Sequence, residues 1–218
     1  MIVTSACYNN CMKLYFVRHG ETQFNAKKMH QHNEVPLSPH GLQQAKFVAN
    51  RFRDIPIDII LSSDVLRAQQ TTEEIAKVVQ KQIFYTPLLQ ERKNPSEIRG
   101  KAYDDPDAVK IKDLLQKNSR LEDWHYSDEE NFCDIKKRAL EFFDYLSLFK
   151  EENILAVSHG GMITLIIGLL IFGQEMTYKE HHHIYETLRL SNTGITVCEQ
   201  IPSGMWRLIT WNDHAHLG

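Results

Sequence analysis

The chain has 218 residues, is 42% hydrophobic and carries 25 basic against 28 acidic residues, for a formal charge of −3. That size and apolar fraction suit one core, and no apolar run approaches the roughly 20 residues of a membrane-spanning helix, the longest being the 11 from Met162 to Phe172. Near-balanced charge also excludes a broad basic surface for duplex nucleic acid, although a local anion pocket would not show in that sum.

Residues 1–11 read as an N-terminal extension. The start, MIVTSACYNNCMK, lacks the basic region and long apolar stretch of a secretory leader. Four scattered cysteines, Cys7, Cys11, Cys133 and Cys198, make no disulfide scaffold, and Cys7-x3-Cys11 has no matching second pair. A reducing, cytoplasmic setting is therefore expected.

From Lys13 to Val17 the run KLYFV predicts a buried strand leading into Arg18-His19-Gly20. After a polar loop to about Pro36, Ser38-Pro39-His40-Gly41 predicts an N-cap with Pro at the first helical position. Leu42, Ala45, Val48, Ala49 and Phe52 then share a helix face. Ile57–Leu61 predicts a second strand. Ser62-Ser63-Asp64 is positioned to cap a helix through Val79, with Leu66, Thr72, Ile75, Ala76 and Val79 as its apolar face.

Ile83–Tyr85 predicts a short strand, and Pro95, Gly100 and Pro106 then forbid one continuous helix. Residues 92–130 are accordingly expected to form an active-site loop or cap insertion within a single domain spanning 12–218. Phe132, Ile135, Ala139, Phe142, Phe143, Leu146 and Phe149 recur at helical spacing. Ile154–Val157 predicts a strand, Ser158-His159-Gly160-Gly161 a turn, and the 11-residue apolar run a helix buried on several sides. Ile195–Cys198 and Trp206–Thr210 predict a late pair of strands. This alternation predicts an α/β sandwich, a mostly parallel central sheet with helices on both faces.

Strand ends are where the chemistry concentrates. Arg18 and His19 follow the first strand, Arg67 opens the helix after the second, and His159, Gly160 and Gly161 follow ILAV. In open α/β sheets such junctions line the ligand crevice, and helix N-termini point N–H groups at an anion. Two guanidiniums suit phosphate because each offers a planar fork of donors. The glycines allow the backbone to approach the anion closely.

LYFVRHGETQFN, LSPHGLQQA, SSDVLRAQQT and SHGG, in that order, resemble the histidine phosphatase superfamily, the branch that contains cofactor-dependent phosphoglycerate mutases and their phosphatase relatives. The resemblance extends from about Met12 to the C-terminus, where SNTGITV and TWNDHAHL are similar to the family's last strands and tail. It implies a three-layer, phosphoglycerate mutase-like sandwich. It also implies that His19 attacks phosphorus, that Arg18, Arg67 and His159 hold the phosphoryl oxygens, and that Glu91 protonates the leaving oxygen. Asn25 falls on a phosphate-contacting position, Gly160 joins the phosphate-binding set, and Thr22 and Gln31 are substrate contacts by the same reasoning.

The chemistry asks for these residue types. A neutral imidazole nitrogen is a nucleophile near neutral pH, provided the other ring nitrogen keeps its proton on an acceptor such as a local backbone carbonyl. Neither a metal nor another cofactor is expected. The partner expected is a small phosphorylated substrate or a phosphoprotein, not nucleic acid or a membrane; a homodimer is compatible with the sequence. The rival readings are a phosphoglycerate mutase, against which the short interval from Glu91 to His159 speaks, and a noncatalytic phosphate-binding protein. RKNPSEIRGK after Glu91 departs from the family's more usual pattern, which bears on substrate contacts. The His181-His182-His183 run is given a structural or exposed-loop role, because adjacent histidines do not share a helix face as metal ligands do. Trp124, His125 and Tyr126 read as a partly buried surface cluster, with a substrate-facing rim as the alternative.

Overall fold

The computed structural model describes residues 12–218; the readings of residues 1–11 as an extension and of Cys7-x3-Cys11 lie outside them. Among the described residues six strands form one sheet: β1 (Met12–Arg18), β2 (Ile59–Ser63), β3 (Ile83–Thr86), β4 (Asn153–Ser158), β5 (Ile195–Gln200) and β6 (Trp206–Asp213). Their order is β3-β2-β4-β1-β5-β6. β3, β2, β4 and β1 run parallel, and β5 and β6 join antiparallel at one edge.

Side chains alternate across the central strands and so feed two cores. Leu14 and Phe16 of β1 and Ile154 and Ala156 of β4 face one side, where they meet α5 (Phe132–Leu146) and α6 (Gly160–Phe172). Val17, Leu155 and Val157 face the other and pack on Val48 and Phe52 around α2 (Pro39–Arg51) and on Ile75 of α3 (Leu66–Val79). Helices on both faces explain why β2 and β4 are almost wholly buried rather than alternating in polarity. The arrangement is the expected three-layer sandwich. Within it α6 is covered by the sheet, α5 and α7 (Tyr178–Thr187), which accounts for its uniform apolarity.

Local signals act as expected at several ends. Ser38 accepts a hydrogen bond from the Gly41 N–H at 2.9 Å and Pro39 opens α2. The capping reading of Ser62-Ser63-Asp64 is corrected: Ser62 and Ser63 complete β2 through parallel pairing with β3, and α3 starts after Val65, which makes no side-chain cap. The sheet ladder supplies more backbone bonds than a cap would.

Two long helices lie where no helix was expected, besides the single turn of residues 23–26 in the polar loop. α4 (Pro106–Asn118) is capped by Asp105 and buries only Ala108 fully, so its sequence carries little apolar periodicity. It follows a one-turn helix at Ser96–Ile98 and a bridge pairing Met29 with Ala102. α7 places the histidine run on a helix rather than a loop. His181 stacks on Phe132 with centroids 5.4 Å apart, and His182 stacks on Tyr178 at 5.6 Å. Trp124, His125 and Tyr126 form a surface group in which His125 bonds the Asp134 carboxylate at 2.6 Å.

Candidate active site

The parallel register brings the strand ends together. Arg18 is paired with Ser158 across β1 and β4, so His19 and His159 emerge side by side, ring centroids 5.0 Å apart. The His19 N–H donates to the Ser158 carbonyl at 3.0 Å and continues the ladder one residue past the strands. Neighbouring β2 contributes Ser63, and α3, one turn later, contributes Arg67.

His19 is 2% exposed, and its two ring nitrogens have partners that can each act in only one sense. Nδ1 lies 2.7 Å from the Gly20 carbonyl, an acceptor, so Nδ1 carries the proton. Nε2 accepts from the Arg67 Nε–H at 3.3 Å, so it holds the lone pair. Burial, followed by the positive charges of Arg67 and Arg18, holds the imidazole pKa well below its usual range; the Gly20 bond opposes this without reversing it. The backbone is fixed as well. Asn192 donates to the His19 carbonyl at 2.9 Å, and the Gly20 N–H donates to Thr71 Oγ1 at 3.0 Å.

His159 is fully buried and stands at the N-terminal flank of α6 without a side-chain cap bond. Its Nε2 is 2.9 Å from Ser63 Oγ, while Nδ1 is buried without a partner among the described residues. Burial, then Arg67, His19 and Arg18, depress its pKa strongly, so both histidines are neutral near pH 7.

The guanidiniums lie around this pair. Arg67 is 3% exposed, donates from Nη1 to the His32 carbonyl at 3.0 Å, and has its pKa lowered to about 10 by burial. Arg18 donates to the Leu190 carbonyl, is likewise shifted down by burial, and has a buried Nε with no partner among the described residues. In both cases Glu91 is the carboxylate that most offsets the burial. Arg18 Nε faces Gly160, where a built Cβ would lie 3.5 Å away. Buried donors of this kind, gathered beside an unprotonated imidazole nitrogen, are suited to a tetrahedral oxyanion.

Glu91 lies across the start of α6. One carboxylate oxygen accepts from the Gly161 N–H at 3.0 Å and the other from the Arg92 N–H at 3.0 Å. A Cβ at Gly161 would collide with that carboxylate, whereas Gly160 has room for one. Thr22, Asn25 and Gln31 form a local set at α1 (Gln23–Ala26). Thr22 Oγ1 accepts from the Asn25 N–H at 3.0 Å and lies 3.0 Å from Gln31 Oε1, and the Thr22 N–H donates to Asn25 Oδ1 at 3.2 Å. Thr22 is thereby committed to the helix cap. Of the residues named for the site, Arg18, His19, Arg67, His159 and Gly160 lie at or just past the ends of the parallel strands, Glu91 lies against the start of α6, and Thr22, Asn25 and Gln31 lie on the α1 loop.

Several residues that support the site were not singled out in the sequence: Ser63, Thr71, Asn192, and Thr193, whose N–H donates to the Arg18 carbonyl at 2.9 Å. Tyr103 and Tyr185 lie close enough to Arg18 and Glu91 to feel both charges, and burial raises both phenols. Lys112 of α4 donates to Asn94 Oδ1 at 2.7 Å, and burial beside Arg92 lowers it to about 8. Ser63 and Thr71 lie within SSDVLRAQQT and Asn192 and Thr193 within SNTGITV, segments whose likeness to the family was the only signal they bore. Among the described residues, no three or more His, Cys, Asp or Glu side chains are placed to hold a metal ion.

Known proteins share this chain's sequence pattern and fold. A family model described as the histidine phosphatase superfamily (branch 1) matches residues 14–214. An adenosylcobalamin/alpha-ribazole phosphatase of Escherichia coli is 29% identical over 170 residues, covering 73% of this chain and 79% of that one. A broad-specificity phosphatase of Saccharomyces cerevisiae is 27% identical over 213 residues, covering 88% and 81%. The crystal structure of phosphoserine phosphatase from Entamoeba histolytica in complex with 3-phosphoglyceric acid superposes with a TM-score of 0.74 at 26% identity, covering 95% of this chain and 100% of that one.

Proposed function

Since the chain belongs to the histidine phosphatase superfamily, branch 1, we propose that it is a phosphomonoester hydrolase that turns over small phosphorylated metabolites through a phosphohistidine on His19. The observation that carries this reading is the His19 tautomer, with Nδ1–H on Gly20 and an unprotonated Nε2 beside Arg67. The relatives that act on small phosphorylated molecules favour that class over a phosphoprotein.

In the first step His19 Nε2 attacks phosphorus as the bond to the leaving oxygen breaks. Arg18, Arg67 and His159 receive the charge on the equatorial oxygens, and Asn25 and the start of α6 at Gly160 complete the cradle. Protonated Glu91 delivers its proton to the departing oxygen. In the second step the Glu91 carboxylate takes a proton from water, the water oxygen bonds to phosphorus, and the P–N bond breaks to return His19 and release phosphate. Two neutral histidines suit this route: a protonated His19 would have no lone pair to attack with. Residues 92–130, with Tyr103 and α4, serve as the cap over the leaving group.

Brief exposure to radiolabelled substrate followed by denaturation tests the reading. Wild type is expected to carry acid-labile, base-stable phosphate, and His19→Ala to carry none and to lose turnover by about a thousand-fold or more. A fully active His19→Ala enzyme would overturn it. Including 3-phosphoglycerate with 2,3-bisphosphoglycerate separates phosphatase from mutase, since a hydrolase releases phosphate without exchanging isomers.

A further inference from the structure

Glu91 lies in irregular chain: no helix or strand spans residues 90–95. A group that must meet a leaving oxygen within hydrogen-bond reach needs another source of rigidity, because a displacement near 1 Å can cost about a hundred-fold in rate. One side chain of α5 supplies it. Arg138 Nη1 donates to the carbonyls of Gln90 at 2.8 Å, Leu88 at 3.3 Å and Pro87 at 3.4 Å, and Nη2 donates to that of Glu91 at 3.3 Å. The remaining carbonyl, Leu89, accepts from Ser158 Oγ at 2.7 Å. Every carbonyl from 87 to 91 is therefore held.

Arg138 is itself fixed by a bidentate pair with Glu130, Nε to Oε1 at 2.8 Å and Nη2 to Oε2 at 2.7 Å. Glu130 in turn grips the chain beyond Glu91. Its N–H donates to the Lys93 carbonyl at 3.1 Å, its Oε2 accepts from the Lys93 N–H at 2.9 Å, and its carbonyl accepts from Arg92 Nε at 2.8 Å. The pair closes around Glu91 from both sides, and the side chains of Arg138 and Glu130 are only 16% and 21% exposed.

We infer that Arg138 and Glu130 are positioning residues for proton transfer, fixing the Glu91 carboxylate at the leaving oxygen. This rests on the reading of Glu91 as the acid. It follows that losing the pair should harm substrates in proportion to how much their leaving oxygen needs a proton. An aryl oxide departs with little protonation, an alkoxide does not.

The test compares kcat/KM for p-nitrophenyl phosphate and for 2-glycerol phosphate, an alkyl ester, in wild type, E91Q, R138M, R138K and E130Q. In R138M the alkyl ester is expected to lose about 30-fold or more and the aryl ester about 3-fold or less, in the pattern of E91Q. R138K, which keeps the charge but not the fork, should fall between wild type and R138M, and E130Q should show the same selectivity. R138M placed in the E91Q background should add less than about 3-fold to the alkyl loss, because the two act through one group. If R138M fails to fold, R138K and E130Q decide. Parallel losses on both substrates, or a full extra loss in the double variant, would overturn the inference while leaving the phosphatase reading intact. A wild type inactive on both esters would overturn the two together.

Discussion

A methyl group at Gly161 would fall on the Glu91 carboxylate, whose oxygen already lies 3.0 Å from the Gly161 N–H. The position is helical and has an ordinary φ, so alanine should otherwise favour the helix by about 1 kcal/mol. Gly161→Ala is therefore expected to leave the urea midpoint unchanged or raised while kcat/KM for an alkyl phosphate falls about 10- to 100-fold. An enzyme that keeps its alkyl activity would show that the carboxylate has another place to act from. From the sequence, Gly160 alone joined the phosphate-binding set and Gly161 had no contact of its own, since only the folded chain brings residue 91 across the start of α6. The groups at strand ends were more legible: a short apolar run followed by Arg-His-Gly or His-Gly-Gly locates them before any contact is known. Their supports were not. Thr71 is an ordinary helix residue and Ser63 an ordinary strand residue until the sheet places each against a histidine or its neighbour.

α5 shows how an element's end can govern what its middle does. Asn131 accepts from the N–H groups of Cys133 at 2.8 Å and Asp134 at 3.1 Å, and Asp134 returns the bond to the Asn131 N–H at 2.9 Å. Asn131→Ala is expected to cost about 1 to 2 kcal/mol, read as a lower urea midpoint with an unchanged slope. No shift in midpoint would mean that the tertiary packing of Phe132 and Ile135 alone sets the helix start. Apolar spacing made this helix and α2 readable in advance. α4 and α7 escaped because each shows little apolar surface to the core, Ala108 and Ile184 being their only buried residues. Their caps, Asp105 with Pro106 and Thr177 with Glu180, were present in the sequence but carried no hydrophobic stripe behind them. β2 was placed two residues early for the opposite reason. Ser62 and Ser63 look like cap residues, yet both are fully buried, and Ser62 Oγ accepts from Thr72 Oγ1 of α3 at 2.8 Å.

Across the whole molecule, several histidines are held neutral: His19 and His159 strongly, and His30 and His181 at about 4, in every case chiefly by burial. Each folded pKa lies below the ordinary value of 6.5, so between roughly pH 6.5 and 4 the unfolded chain binds protons that the folded chain does not. The stability they contribute is complete above pH 6.5 and is lost as pH falls. His125, raised by Asp134, opposes this as one exposed group. Urea unfolding measured from pH 7 to 4.5 should thus show a falling free energy before most carboxylates titrate. A flat profile would mean that these rings take up protons without unfolding. The near-zero charge sum conveyed none of this, because a sum cannot distinguish buried neutral imidazoles from surface ones. The strand order also bears on how the protein is made. β1 sits between β4 and β5, and the carbonyls of Arg18 and His19 are tied to Thr193 and Asn192, the latter 173 residues downstream. During synthesis His19 leaves the ribosome long before the residues that hold it, so a nascent chain stalled short of Thr193 carries the histidine but not its pocket. On the proposed mechanism, phosphate chemistry waits until translation has delivered the far side of the sheet.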